Sequence, residues 1–140
     1  MIVDVERLLV TMLGAALPGL HVVADIESDT WDPVTGVPLV AVKAFGGVPD
    51  GSAQDEVALQ EWRVQVSVVA AGRDASREVA VDVLAAVQGL DGYGAGVLPG
   101  VGMVESVTVQ ELPTIGSQAT VNARRLTQWD ATYQLVVSQA

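Results

Sequence analysis

Residues 62–88, WRVQVSVVAAGRDASREVAVDVLAAVQ, hold the two periodicities that decide the fold. Trp62, Val64, Val66 and Val68 alternate with Glu61, Arg63, Gln65 and Ser67, the two-residue period of a strand with one buried and one polar face. Gly72 interrupts this pattern, and the period then changes to that of a helix. Val79, Ala80, Val83, Leu84 and Val87 form one stripe, with Arg77, Glu78 and Asp82 opposite; Asp74 is placed to cap a helix over 75–88, and Gly89 to stop it. A strand feeding directly into an amphipathic helix predicts an α+β domain in which that helix lies on a sheet.

On the N-terminal side, Val5, Leu8, Leu9, Met12 and Ala16 recur at three- and four-residue spacing behind Asp4, a capping residue, with Val3 placed to staple onto Leu8. This predicts a first helix ended by Pro18 and Gly19. His21–Ile26 and Pro38–Phe45 read as strands, joined by the polar connection 27–37. Residues 46–58, GGVPDGSAQDEVA, carry turn residues and no apolar period, which predicts a long loop or hairpin tip. On the C-terminal side, the glycine-rich link 89–100 leads to a strand near 101–112. Residues 113–126 then read as a second long polar arm, and Trp129, Ala131, Tyr133, Leu135 and Val137 alternate as the last strand. The expected architecture is one domain over 1–140, ordered α-β-β-β-α-β-β. Its sheet is antiparallel or mixed and five-stranded, with both helices packed on one face and arms at 46–58 and 113–126.

With 140 residues, half of them hydrophobic, the chain is of a size that buries about 68% of its unfolded surface in a single core. Seventeen acids against seven bases give a formal charge of −10, and Lys43 is the only lysine, a balance opposed to gripping nucleic-acid phosphates. Residues 1–61 hold ten of the acids against Arg7 and Lys43, so the imbalance is uneven. The absence of cysteine removes disulfides, thiolate nucleophiles and Cys-based zinc sites, and fits a reducing cytoplasm. The apolar run 8–20 is too short to span a bilayer and contains Gly14, Pro18 and Gly19; Asp4 and Glu6 before it are the wrong sign for a signal peptide.

Chemical motifs are few. The glycines of 92–102 do not make a dinucleotide loop, because the third glycine of GxGxxG falls on Val97 or Pro99 and a helix precedes them. Asp25, Glu27 and Asp29 alternate as in a calcium loop, but Thr30 stands at the turn glycine and Gly36 at the bidentate glutamate. A cluster of solvated acids is the ordinary reading there, with a weak cation site bridging subunits as the alternative. His21 is the sole histidine and no GxSxG elbow occurs, so a catalytic triad has no marked members. Trp62 and Trp129 read as core residues. Trp31, in a polar connection, reads as an interface candidate, and the adjacent bases Arg124 and Arg125 read equally as solvated loop charge or as interface partners of an acidic neighbour.

The passage from WRVQVSVVA through Gly72 into RDASREVAVDVLAAV resembles the tail terminator (tail completion) family of long-tailed siphophages. In that family an opening helix precedes strands, a central R-x-x-V-Q-V-type strand leads into an arginine-started amphipathic helix, and a strand pair closes the chain with a Tyr-x-Leu-x-Val-like ending. Here those features fall at 5–17, 63–70, 73–88 and 133–137. The resemblance implies a non-enzymatic virion protein without cofactor or metal, assembled in the host cytoplasm and located at the head–tail junction. It implies a homohexameric ring that caps the tail tube, ends its polymerisation and offers its other face to a head–tail connector or head completion protein. Genome DNA would pass through the ring without sequence-specific contact, past an acidic lumen that repels phosphates. Neither membrane nor sequence-specific nucleic acid is a partner. The expected contact residues are Trp31, Asp50, Asp55, Glu56, Arg124 and Arg125. The alternatives are another head–tail connector or neck protein, and a small cytosolic enzyme or ligand-binding domain using the acidic segment 25–32.

Overall fold

The computed structural model describes residues 2–24, 38–49, 59–91, 96–121 and 124–139. In chain order the elements are α1 (Val5–Ala16), β1 (His21–Val23), β2 (Leu39–Pro49), β3 (Leu59–Ala71), α2 (Arg73–Gln88), β4 (Val97–Leu98), β5 (Gly102–Val121) and β6 (Arg124–Ser138). The strands form one mixed sheet, ordered β1-β2-β3-β6-β5-β4 and curled as a half-barrel. All neighbours are antiparallel except β1 and β2, which are parallel.

The expected five-stranded sheet is therefore wrong: there are six strands. The additional one is β4, inside the glycine-rich link, where Val97 and Leu98 pair with Met103 and Gly102. Two boundaries also move. Residues 46–49, expected as loop, continue β2 past a register shift between Phe45 and Val48. Most of 113–126, expected as a polar arm, belongs to the β5–β6 hairpin, which pairs down to Val121↔Arg124.

Strand β3 is the middle of the sheet. It pairs with β2 on one side and with β6 on the other, unbroken from Leu59↔Ser138 to Ala71↔Leu126. Its even residues Val64, Val66 and Val68 share a face with Val40 and Val42 of β2 and with Trp129, Ala131, Tyr133, Leu135 and Val137 of β6. Both helices bury their stripes on that face, through Val5, Leu8, Leu9 and Leu13 of α1 and Ala80, Val83 and Val87 of α2. The opposite face has no helix on it among the described residues. At the end where β1 joins, it carries a small apolar cluster of Leu39, Val69 and Leu126.

Local chemistry sets the helix starts. Asp4 accepts the Arg7 N–H at 3.1 Å and so caps α1. Helix α2 begins two residues earlier than Asp74 suggested: Gly72 is its N-cap, at φ 84° and ψ 151°, without a side-chain cap. The Gly72 N–H donates to the Arg125 carbonyl at 3.0 Å, and its carbonyl accepts from Ser76 N–H at 3.1 Å. The turn is thus tied to β6 and to the first helical hydrogen bond together. Ser76, fully buried, accepts from Trp129 Nε1 at 2.8 Å and donates to the Arg73 carbonyl at 2.9 Å, pinning α2 to the sheet.

A Cβ at position 72 would meet nothing within 4 Å, so the cost of a side chain there is backbone strain alone. Gly72→Ala is expected to lower unfolding stability by about 1–3 kcal/mol, measured as a shift in the urea midpoint with unchanged slope.

Candidate functional site

The helix-free face is where the polar half of each alternation collects. Glu61, Arg63, Gln65 and Ser67 of β3 lie beside Lys43 and Phe45 of β2 on one side and Gln128, Asp130, Thr132 and Gln134 of β6 on the other. Cross-strand hydrogen bonds run over it. Gln134 donates to Glu61 Oε1 and accepts from Gln110 Nε2 of β5 at 2.9 Å, linking three strands. Asp130 Oδ1 accepts from Ser67 Oγ at 2.7 Å and from Gln128 Nε2 at 2.9 Å. A Cβ at Gly116 would overlap the Asp130 carboxylate, so a residue without a side chain leaves room for it. Nearer the other end of the sheet, Ser138 Oγ donates to Glu105 Oε1 at 2.7 Å, and the Arg63 guanidinium lies 5.4 Å from the centroid of the Phe45 ring. Such an exposed cation–π contact contributes about 0.5–1 kcal/mol.

These groups make a polar surface whose carboxylates and amides already bond one another. Ser67 faces a carboxylate, Ser76 faces an indole, and His21 stands exposed on β1, two strands from Ser67. Neither serine therefore has an imidazole to take its proton. Among the described residues no three His, Asp or Glu side chains are grouped to hold a metal ion. No helix among them is long and apolar enough to cross a membrane.

Two of the concavities among the described residues lie elsewhere. A groove of about 330 Å³ beside the start of α1 is lined by Ile2, Val3, Asp4, Val5, Glu6, Ala44 and Trp62. Its floor is braced by Gln60, whose Oε1 accepts from Val3 N–H at 3.1 Å and from Trp62 Nε1 at 3.0 Å. Gly47 lies over the indole, where a Cβ would come within 2.6 Å of the ring. The other is a void of about 10 Å³ inside the core, lined by Val66, Val68, Ala80, Val83, Pro113, Trp129, Ala131 and Tyr133. It is at the lower limit for one water molecule.

Of the interface candidates named from the sequence, Trp31, Asp50, Asp55 and Glu56 lie outside the described residues, as does the acidic segment 25–32. Arg124 and Arg125 open β6 at the hairpin end, opposite Val121 and Thr120. Arg125 is exposed and donates to Gln118 Oε1 across the hairpin. The cross-strand network escaped sequence reading. Its polar alternations in β3 and β6 were visible, but their partners depend on a register the sequence does not state. Gln110 gave still less signal, since it lies where the β5 register shifts between Val109 and Glu111.

Tyr133 is the one described group with a clearly moved pKa: burial pushes its hydroxyl from 10.0 up to about 12. The Tyr133 hydroxyl has no hydrogen-bond partner among the described residues. Because the folded pKa lies above the unfolded one, the neutral phenol's contribution to stability is complete below pH 10 and is lost as pH rises toward about 12. Tyr133→Phe is expected to be neutral or stabilising at pH 7, since it removes a buried unpaired hydroxyl and leaves the ring. It should also flatten the fall in stability between pH 10 and 12, read by denaturant titration at each pH; an unchanged pH dependence would contradict this assignment.

No family model matches the chain, and no curated protein matches it. Among solved structures, one whose name states no function is similar at 19% identity, over 94% of this chain and 89% of that one, with a TM-score of 0.43. A likeness so distant carries no argument about function.

Proposed function

We propose that this chain is a structural virion protein of the tail-terminator kind, acting by surface contact without catalysis. It would form a ring on the head-proximal end of a phage tail tube, end the tube's growth and present the opposite face to the head connector. The observation that carries the reading is the β5–β6 hairpin, with strands of 20 and 15 residues. Among the described residues only Val97 and Leu98 of β4 pair with β5 on its outer side, so the hairpin is a largely uncovered margin of the sheet. Leu112 on it is 64% exposed, and Glu111, Gln118, Thr120 and Arg125 are exposed along the same hairpin. Interfaces draw on such apolar and arginine positions set in a polar rim.

The sequence resemblance adds support. The central strand runs through Gly72 into the arginine-started α2, and the ending Tyr133–Val137 is the strand whose inward residues fill the core. A ring built from one chain requires two different patches on each subunit. The hairpin margin is one and the opposite edge of the sheet, at β1 and β2, is available as the other.

Light scattering and negative-stain imaging test this, on the purified chain alone and mixed with tail tube protein. Closed rings, free or seated on tube ends, are the expected result. A monomer under both conditions that leaves tube growth unchanged would overturn the proposal.

A further inference from the structure

Among the described residues the sheet is open at both ends, and its two edges differ. Beyond Val104, whose N–H donates to the Gly96 carbonyl at 2.8 Å, no strand among the described residues pairs with the outer edge of β5 up to Val121. At the other end β1 pairs with Leu39–Ala41 of β2, and no strand among the described residues pairs with the outer edge of β2 from Val42 onward. Unpaired N–H and C=O rows are templates for a further strand. In the open part of β2 the Ala44 N–H is met at 3.3 Å by the Glu6 carboxylate, a side chain standing in for a strand carbonyl.

Each open edge offers one matching regular run. In β2 it is Val42–Phe45, closed off by the register shift before Val48 and by Gly46 at φ 64°. In β5 it is Ser106–Val109, lying between the shifts at Val104/Ser106 and Val109/Glu111. The bulges and Pro113 beyond deny the rest of β5 to an arbitrary strand. A short partner of fixed length is what this edge admits.

Charge and direction then choose the partner. Strand β5 carries Glu105 and Glu111 and no base, whereas β2 carries Lys43 and no acid. Lys43 lies opposite Gln65 and Glu111 opposite Thr132, on the helix-free face, and Glu105 bonds Ser138 on that face. Pairing β5 with another β5 would bring two acidic strands together, whereas pairing it with β2 sets Lys43 opposite Thr108, between Glu105 and Glu111 along the ladder. Strands β2, β3, β6 and β5 alternate in direction, so β2 and β5 run oppositely. A second copy set alongside in the same sense therefore meets the first in an antiparallel seam, and the step repeats head to tail.

We infer that subunits join by strand addition, the Val42–Phe45 run of one copy pairing with the Ser106–Val109 run of the next, with Lys43 between Glu105 and Glu111 across the seam. The inference rests on the assembly reading and gives it a contact. The chain has no cysteine, which makes crosslinking clean. Lys43→Cys/Thr108→Cys, treated with a short bifunctional thiol reagent, should give a covalent ladder ending in a closed species, and an equimolar mixture of the two single variants only a dimer. Lys43→Glu should abolish assembly and Lys43→Glu/Glu111→Lys restore it, with circular dichroism unchanged because both sites are exposed. A dimer from Thr108→Cys alone would show β5 pairing with itself and overturn the seam. Rings that form without any crosslink would overturn the seam while leaving the assembly reading standing; a strict monomer with tube protein present would remove both.

Discussion

Everything in this fold depends on β3 lying between two antiparallel partners, β6 over its whole length and β2 from Gln60 to Val69. The β3–β6 ladder is unbroken, so the inward faces of both strands stay in phase from one end of the core to the other. That phase puts Val64, Val66 and Val68 beside Tyr133, Ala131 and Trp129, and makes one continuous apolar floor for two helices. A slip of one residue would turn every one of these side chains to the polar face. The ladder also fixes the far end of β3, where Gly72 turns the chain back over the floor while held by the Arg125 carbonyl.

The same phase separates two kinds of chemistry. One face is closed by helices and consists almost wholly of valine, leucine and aromatic side chains. The other is covered with amides, hydroxyls and charges that bond across strands, among them Gln110, Gln134 and Glu61 in series. On this face Asp130 likewise accepts from Ser67 and Gln128. Among the described residues, the margins are where ladder groups of β2 and β5 end without a strand beside them.

Much of the fold was legible because burial on one side imposes a strict period. Residues 62–68, 79–87 and 129–137 show it, and β3, α2 and β6 follow. The rest was hidden for identifiable reasons. Strand β4 is two residues in a glycine-rich link and exists through its pairing with Gly102 and Met103. Strand β5 changes register at four places, so its alternation is reset before it can be read, and Pro113 in a bulge looks like a loop signal. The start of α2 was misplaced because Asp74 is a good capping residue, whereas the actual cap is a glycine chosen for its backbone angle. Of the proposed contact residues, only Arg124 and Arg125 fall within the described structure, at the start of β6.

The central claim is that this sheet is completed by another copy of itself. Amide hydrogen exchange, compared between dilute monomer and assembled material, reads this directly at the backbone. The account predicts slowed exchange on assembly in both 42–45 and 106–109, with the core of β3 unchanged. Assembled rings in which these two runs exchange as fast as in the monomer would contradict it.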